Sequence, residues 1–176
     1  MGLCSMKWET YQREALKTAV YPTDMSITYP ALGLVGEVGE VANKVKKVFR
    51  DDGGLLTVAK RAQLCDEVSD CFWYIAAVAN DCGIIFDYGF DDLLVEVPSL
   101  DEATLLAAYH AGQIAYAAVK SMPQVWFKVE LMAVAECLLA VCYHLGVSFL
   151  SILQANIDKL ISRQERGTLG GDGDNR

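Results

Sequence analysis

The stretch Tyr29-Pro30-Ala31-Leu32-Gly33-Leu34-Val35-Gly36-Glu37-Val38-Gly39-Glu40-Val41-Ala42-Asn43-Lys44-Val45-Lys46-Lys47 decides how the chain is read, and Glu67-Val68-Ser69-Asp70 repeats its acidic spacing. Residues three apart lie on nearly one face of an α-helix, so Glu37 pairs with Glu40 and Glu67 with Asp70. Four carboxylates facing each other across a helix pair repel unless a cation neutralises them, and hard divalent ions such as Mg²⁺ take oxygen ligands of this kind. One such pair also fits a solvated acidic face with ordinary partners, Glu40 with Lys44 for instance. Two pairs on adjacent helices favour the metal.

Working outward, the spacing predicts an all-α chain of six helices. Trp8, Tyr11, Ala15, Leu16 and Ala19 recur at helical intervals in a first helix from Met6 to about Ala19, with Ser5 placed to cap it. Tyr21-Pro22 and Tyr29-Pro30 bracket a loop, each proline biasing its tyrosine away from helix. Pro30 suits the first turn of the second helix, which ends near Asp52 before Gly53-Gly54. A third helix opens near Thr57 and stops at Gly83. Residues 84–98 form a connector, and Ser99-Leu100-Asp101-Glu102 reads as a capping box for a fourth helix reaching Ser121. Pro123 starts a fifth, which ends at Gly146. Ser148 caps a sixth that runs to about Arg166, and residues 168–176 lack an apolar period and read as a mobile tail.

At 176 residues and 53% hydrophobic content, one well-cored domain is expected. A net charge of −8 argues against an extended nucleic-acid surface. Two local basic clusters, Lys44, Lys46, Lys47 and Arg50 and then Lys159, Arg163, Arg166 and Arg176, still suit a small phosphorylated ligand. The six cysteines include no C-x-x-C pair and sit among apolar residues, which fits buried thiols in a reducing, cytoplasmic compartment. No signal peptide is apparent, and the apolar run from Leu131 to Val147 carries Glu136 and His144 and reads as a buried core helix, so no membrane partner is expected.

A weak internal repeat aligns Gly36 to Lys44 with Gly112 to Lys120, and the helix ending at Gly83 with the one ending at Gly146. In that register Gln113 and Tyr116 replace Glu37 and Glu40, while Glu130 and Ala133 replace Glu67 and Asp70. The second half then keeps a fold but no metal site, with Gln113 and Tyr116 facing the bundle interior.

The acidic pairs, Tyr29-Pro30, the run from Gly36 to Lys47, Phe72-Trp73-Tyr74, and the ending from Ala155-Asn156-Ile157-Asp158-Lys159-Leu160 through Arg166-Gly167 to Gly173-Asp174-Asn175-Arg176 together resemble the MazG-like nucleotide pyrophosphohydrolases. The resemblance covers residues 6 to about 84 and 147–176. It implies a four-helix-bundle core, Mg²⁺ bound through Glu37, Glu40, Glu67 and Asp70 with Mn²⁺ as a substitute, and hydrolysis of (deoxy)nucleoside triphosphates to monophosphate and pyrophosphate. Residues 85–146 are an insertion relative to short members, which pair helices between subunits. An inserted hairpin completing the core within one chain resembles the related dimeric dUTPases, and leaves either a homodimer or a monomer.

In such a site, two Mg²⁺ ions at the α-phosphate activate a water for in-line attack, with one of the four carboxylates free to act as base. Di-iron chemistry is disfavoured because neither His110 nor His144 has a glutamate three residues before it. Asn156, Lys159, Arg163 and Arg166 form one polar stripe on the last helix. The resemblance places Asn156 and Lys159 near the polyphosphate, and a cationic stripe suits an anion. Trp73 and Tyr74 either stack on a base or pack the core. Lys44 and Lys47 either neutralise phosphate or serve a solvated helix end. The alternative to an enzyme is a helical nucleotide-binding or regulatory protein without turnover.

Overall fold

A computed structural model of the chain describes residues 7–86 and 97–169. These form six α-helices and no strand: α1 (Trp8–Ala15), α2 (Thr28–Asp52), α3 (Val58–Asp81), α4 (Leu100–Lys120), α5 (Gln124–Leu145) and α6 (Phe149–Glu165). Helix α2 packs on α3 and α4, and α5 packs on α3 and α4, so two hairpins make a four-helix bundle with α1 and α6 laid against α3. The Gln124 amide donates to the carbonyls of Cys82 and Gly83 at 2.7 and 2.8 Å, which fixes the start of α5 beside the end of α3. At the other end, Gly146 lies against the guanidinium of Arg61. Helices α3 and α5 are therefore antiparallel, and so are α2 and α4.

The apolar spacing accounts for this arrangement. Leu34, Val38, Val41, Val45 and Val48 bury one face of α2, and Leu64, Val68, Cys71, Phe72 and Ile75 bury the facing stripe of α3. Helix α5 buries Phe127, Leu131, Val134, Leu138, Val141 and Leu145, so the apolar run that read as a core helix is one. No single described helix is long and apolar enough to cross a membrane. Outside the bundle, Trp8 of α1 stacks on Phe149 of α6 with ring centroids 6.3 Å apart and meets Phe72 of α3 edge-on, which pins both outer helices to α3.

Several boundaries differ from the sequence reading. Helix α1 begins at Trp8 with no side-chain cap and gives way to a 3₁₀ turn over Leu16–Thr18; Ser5 lies outside the described residues. Helix α2 begins at Thr28, so Tyr29 is helical despite the following proline, whose missing N–H costs nothing in a first turn. The Ser99 hydroxyl bonds the Asp101 carboxylate and caps no backbone N–H, so the capping box does not form. Thr57 and Ser148 do cap α3 and α6, accepting from the amides of Lys60 and Ser151. Gly53 and Gly146 close α2 and α5 in the left-handed conformation that favours glycine. The tail beyond Leu169 lies outside the described residues.

The second hairpin mirrors the first, but in a corrected register. Buried Leu64, Val68, Cys71, Phe72, Ile75 and Val78 of α3 correspond to buried Phe127, Leu131, Val134, Ala135, Leu138 and Val141 of α5, as the repeat requires. On the other arm, buried Ala31, Leu34, Val38 and Val41 correspond to Thr104, Ala107, Ala111 and Ile114, one helical turn away from the register read in the sequence. Glu37 is thus matched by His110, not Gln113. Tyr116 is 51% exposed and points away from the bundle, against the expectation that it faces the interior.

Leu138 is fully buried where α5 meets α3. Leu138→Ala should destabilise the whole fold by roughly 2–5 kcal/mol, as deletion of buried methyl groups does. Chemical denaturation followed by circular dichroism measures this; a loss within about 0.5 kcal/mol, the range of surface changes, would mean that the second hairpin is not part of the cooperative core.

Candidate functional site

Glu37 of α2 and Glu67 and Asp70 of α3 each place one carboxylate oxygen within 4.8 Å of the other two. All three are half-buried. Burial pushes the Glu37 carboxyl up from 4.5 to about 7, and the nearby charges of Asp70 and Glu67, with a hydrogen bond to Glu67, act in the same direction. Three carboxylates this close would supply oxygen ligands of the kind hard divalent cations take. The donor set therefore fits Mg²⁺ or Mn²⁺. Glu40, one turn further along α2, is exposed and is not in the group.

Two lysines pair with this cluster. Lys44 of α2 lies 2.7 Å from Glu67, and Lys159 of α6 lies 2.7 Å from Asp70. Asp70 is held by a buried relay as well. Asn156 of α6 is fully buried; its amide donates to Asp70 at 3.1 Å and to the Ser69 hydroxyl at 3.3 Å, while its carbonyl accepts from the Tyr11 phenol at 2.8 Å. Ser69 in turn accepts from Lys159 at 3.2 Å and donates to the Asp66 carbonyl at 2.7 Å. Asn156 thus positions Asp70 from behind.

Beside the carboxylates opens a pocket of about 260 Å³, close to the lower end of the roughly 300–1,000 Å³ range of small-molecule sites. One wall is aromatic: Tyr21, Tyr29, Trp73 and Tyr74. The same pocket is lined by Glu37, Glu67 and Asp70, and by Lys159 and Arg163 of α6. Tyr21 stacks on Tyr29 with centroids 5.1 Å apart, and Trp73 stands edge-on to both Tyr21 and Tyr74. Trp73 is anchored by its indole N–H, which donates to the Ala15 carbonyl at 3.1 Å and the Thr18 hydroxyl at 3.3 Å. Tyr74 lies flat on Gly33, where an added Cβ would meet its ring at 2.1 Å, so that residue has to be glycine for the ring to lie there.

The loop carrying Tyr21 is held by one carboxylate. Asp81 accepts from the Tyr21 phenol and from the Ile27 amide, each at 3.0 Å. Ile27 has φ 65° and ψ −51°, and the Thr28 amide bonds the Ser26 carbonyl at 2.7 Å across it, a γ-turn of the strained hand. A β-branched residue there costs on the order of 1–3 kcal/mol and persists because its surroundings fix it.

The structure brings together Glu37, Glu67, Asp70, Trp73, Tyr74, Lys159 and Arg163 at one pocket. Lys44 reaches the cluster from behind through Glu67, Asn156 is buried beneath it, and Lys47 is exposed on α2. Helices α4 and α5 contribute nothing to the pocket wall, so the second half does not wall the site. Tyr11, Tyr21, Tyr29, Gly33 and Asp81 were not picked out by spacing. The available signal was two tyrosines, Tyr21 and Tyr29, flanking a loop with no core of its own.

The Gene 37 protein of Mycobacterium phage L5 is 41% identical to this chain over 85 residues, which span 45% of the chain and 75% of the phage protein. The two belong to one family. That name states no activity, and the overlap covers less than half of this chain. No protein-family model matches the chain, and no solved structure matches it.

The Glu37 shift has a sign. Below about pH 4.5 its carboxyl is protonated whether the chain is folded or not; from there to about 7 only the folded chain keeps the proton, so this group makes stability fall as pH rises through that window. A divalent cation reverses the penalty by favouring the ionised form. Saturating Mg²⁺ should therefore raise Tm more at about pH 8 than at about pH 5, measured by calorimetry. An equal increase at both values would dissociate cation binding from Glu37.

Proposed function

We propose that this chain hydrolyses (deoxy)nucleoside triphosphates to monophosphate and pyrophosphate with a divalent cation held by Glu37, Glu67 and Asp70. One observation carries the reading: a three-carboxylate group lines one pocket together with four aromatic and two cationic side chains. Such a pocket matches the three parts of a nucleotide. The tyrosines and Trp73 offer aromatic surface for a base, while Lys159 and Arg163 offer charge for phosphates. A cation bound by the carboxylates neutralises phosphate charge and lowers the pKa of a water.

The chain's own residues then divide the work. Lys159 exchanges Asp70 for a phosphate oxygen as substrate enters. Asn156 keeps Asp70 in place during that exchange, since its amide is already fixed by Tyr11. The aromatic wall excludes water from one side of the ligand.

Incubation with a panel of nucleoside triphosphates and Mg²⁺ should release pyrophosphate and no orthophosphate. Asp70→Asn should lower turnover by about a hundredfold or more, on the order of 3 kcal/mol of transition-state stabilisation, while keeping the helical spectrum. Binding without product from any nucleotide would favour the non-catalytic alternative, and turnover by Asp70→Asn within about twofold of wild type would remove the metal assignment.

Gly33→Ala tests the base wall separately. The new methyl displaces the Tyr74 ring from α2, so KM for the preferred nucleotide should rise by about tenfold with kcat little changed, the pattern of lost ground-state binding. Equal losses in both constants would place Tyr74 in the chemistry and not in the base wall.

A further inference from the structure

Helix α4 has two apolar faces. Ala103, Ala107, Ala111, Ile114 and Ala117 are buried in the bundle. On the outward side, Leu105, Tyr109, Tyr116 and Val119 are 68, 59, 51 and 79% exposed, and Ala108 and Gly112 are exposed between them. On a helix of 3.6 residues per turn, Leu105, Tyr109, Gly112, Tyr116 and Val119 fall in one line. No Asp, Glu, Lys or Arg occurs between Ala103 and Val119, in a chain that is 22% charged. A surface helix that needed only a solvated outer face would carry charge there.

The stripe reads nearly the same in both directions from Gly112. Leu105 and Val119 lie equally far from it, Tyr109 and Tyr116 flank it, and Glu102 and Lys120 close its two ends on the same flank with opposite charge. These end charges also suit the helix dipole, which explains their sign but not the tyrosine symmetry or the shared flank. Neither Glu102 nor Lys120 makes an ion pair among the described residues. A Cβ built on Gly112 meets nothing within 4 Å, so a neighbouring helix has a close approach open at the centre.

We propose that α4 is a homodimer interface, in which two copies pack this stripe antiparallel about Gly112. An interface of this kind must be self-complementary about a two-fold axis, and the stripe is: Tyr109 meets Tyr116 of the second copy, Leu105 meets Val119, and Glu102 meets Lys120. The occupant is a second copy because one surface supplies both halves of the apolar and charge match. The inference does not depend on any activity at the carboxylate pocket, which α4 does not line.

Sedimentation velocity and light scattering on the purified chain at tens of micromolar, without nucleotide or metal, should report a dimer. Tyr116→Glu should raise the dimer Kd by about a hundredfold, since it buries an unpaired charge against Tyr109 of the second copy, and should leave the circular dichroism and Tm of the monomer intact because Tyr116 is exposed. Glu102→Lys and Lys120→Glu should each weaken the dimer, and the two together should restore it. Gly112→Cys should cross-link two copies under mild oxidation faster than Val129→Cys on the neighbouring helix. A wild-type monomer at about 100 µM, well above a micromolar Kd, overturns the proposal and leaves the stripe to another partner. So does a dimer that Tyr116→Glu leaves intact, or a Gly112→Cys cross-link no faster than the control.

Discussion

Three carboxylate oxygens held within 4.8 Å of one another set the main constraint on this fold. Such a group is repulsive, and at low dielectric the repulsion grows. The chain meets it with residues from four helices: Lys44 from α2, Ser69 from α3, Lys159 and Asn156 from α6, and, one bond further back, Tyr11 from α1. Helices α1 and α6 do not belong to the four-helix bundle, yet the acidic cluster gives both a defined place. The aromatic contacts of Trp8 with Phe72 and Phe149 supply the apolar part of the same attachment.

The second hairpin carries different residues at the corresponding positions. His110 takes the position of Glu37, Glu130 that of Glu67, and the histidine Nδ1 lies 2.7 Å from the Glu130 carboxylate. Ala133 takes the position of Asp70. Two of the three carboxylates of the first hairpin thus have no counterpart in the second. This half supports α2 and α3 by packing.

Much of the helix pattern was legible because burial leaves a period in sequence, and each long helix here buries one continuous stripe. The acidic pairs were legible for the same reason, but only to the level of a face. Spacing of three places Glu37 and Glu40 on one side of α2; it does not say how far the partner helix extends, and α3 covers Glu37 and leaves Glu40 exposed. The repeat was misaligned on α4 because a shift of three residues is nearly one turn and preserves the apolar face. Only the depth of each side chain in the bundle separates the two registers. The polar spacing of the last helix puts Asn156 on a ligand-facing stripe, whereas hydrogen bonds to Tyr11, Ser69 and Asp70 turn it inward. The aromatic wall depended on a strained loop and on a glycine under a tyrosine ring, neither of which has a periodic signature.

The two hairpins of the bundle belong to one chain, and this changes what a substitution can do. In an assembly of identical hairpins every replacement is felt twice, so losing an acid in one copy means losing it in both. Here the halves are encoded separately. His110 and Ala133 can stand where the other half keeps Glu37 and Asp70, and an error on one side leaves the other side's residues untouched. Joining the hairpins also makes their encounter intramolecular, so the bundle forms at an effective concentration set by the connection and not by the amount of protein present. Dilution does not take it apart.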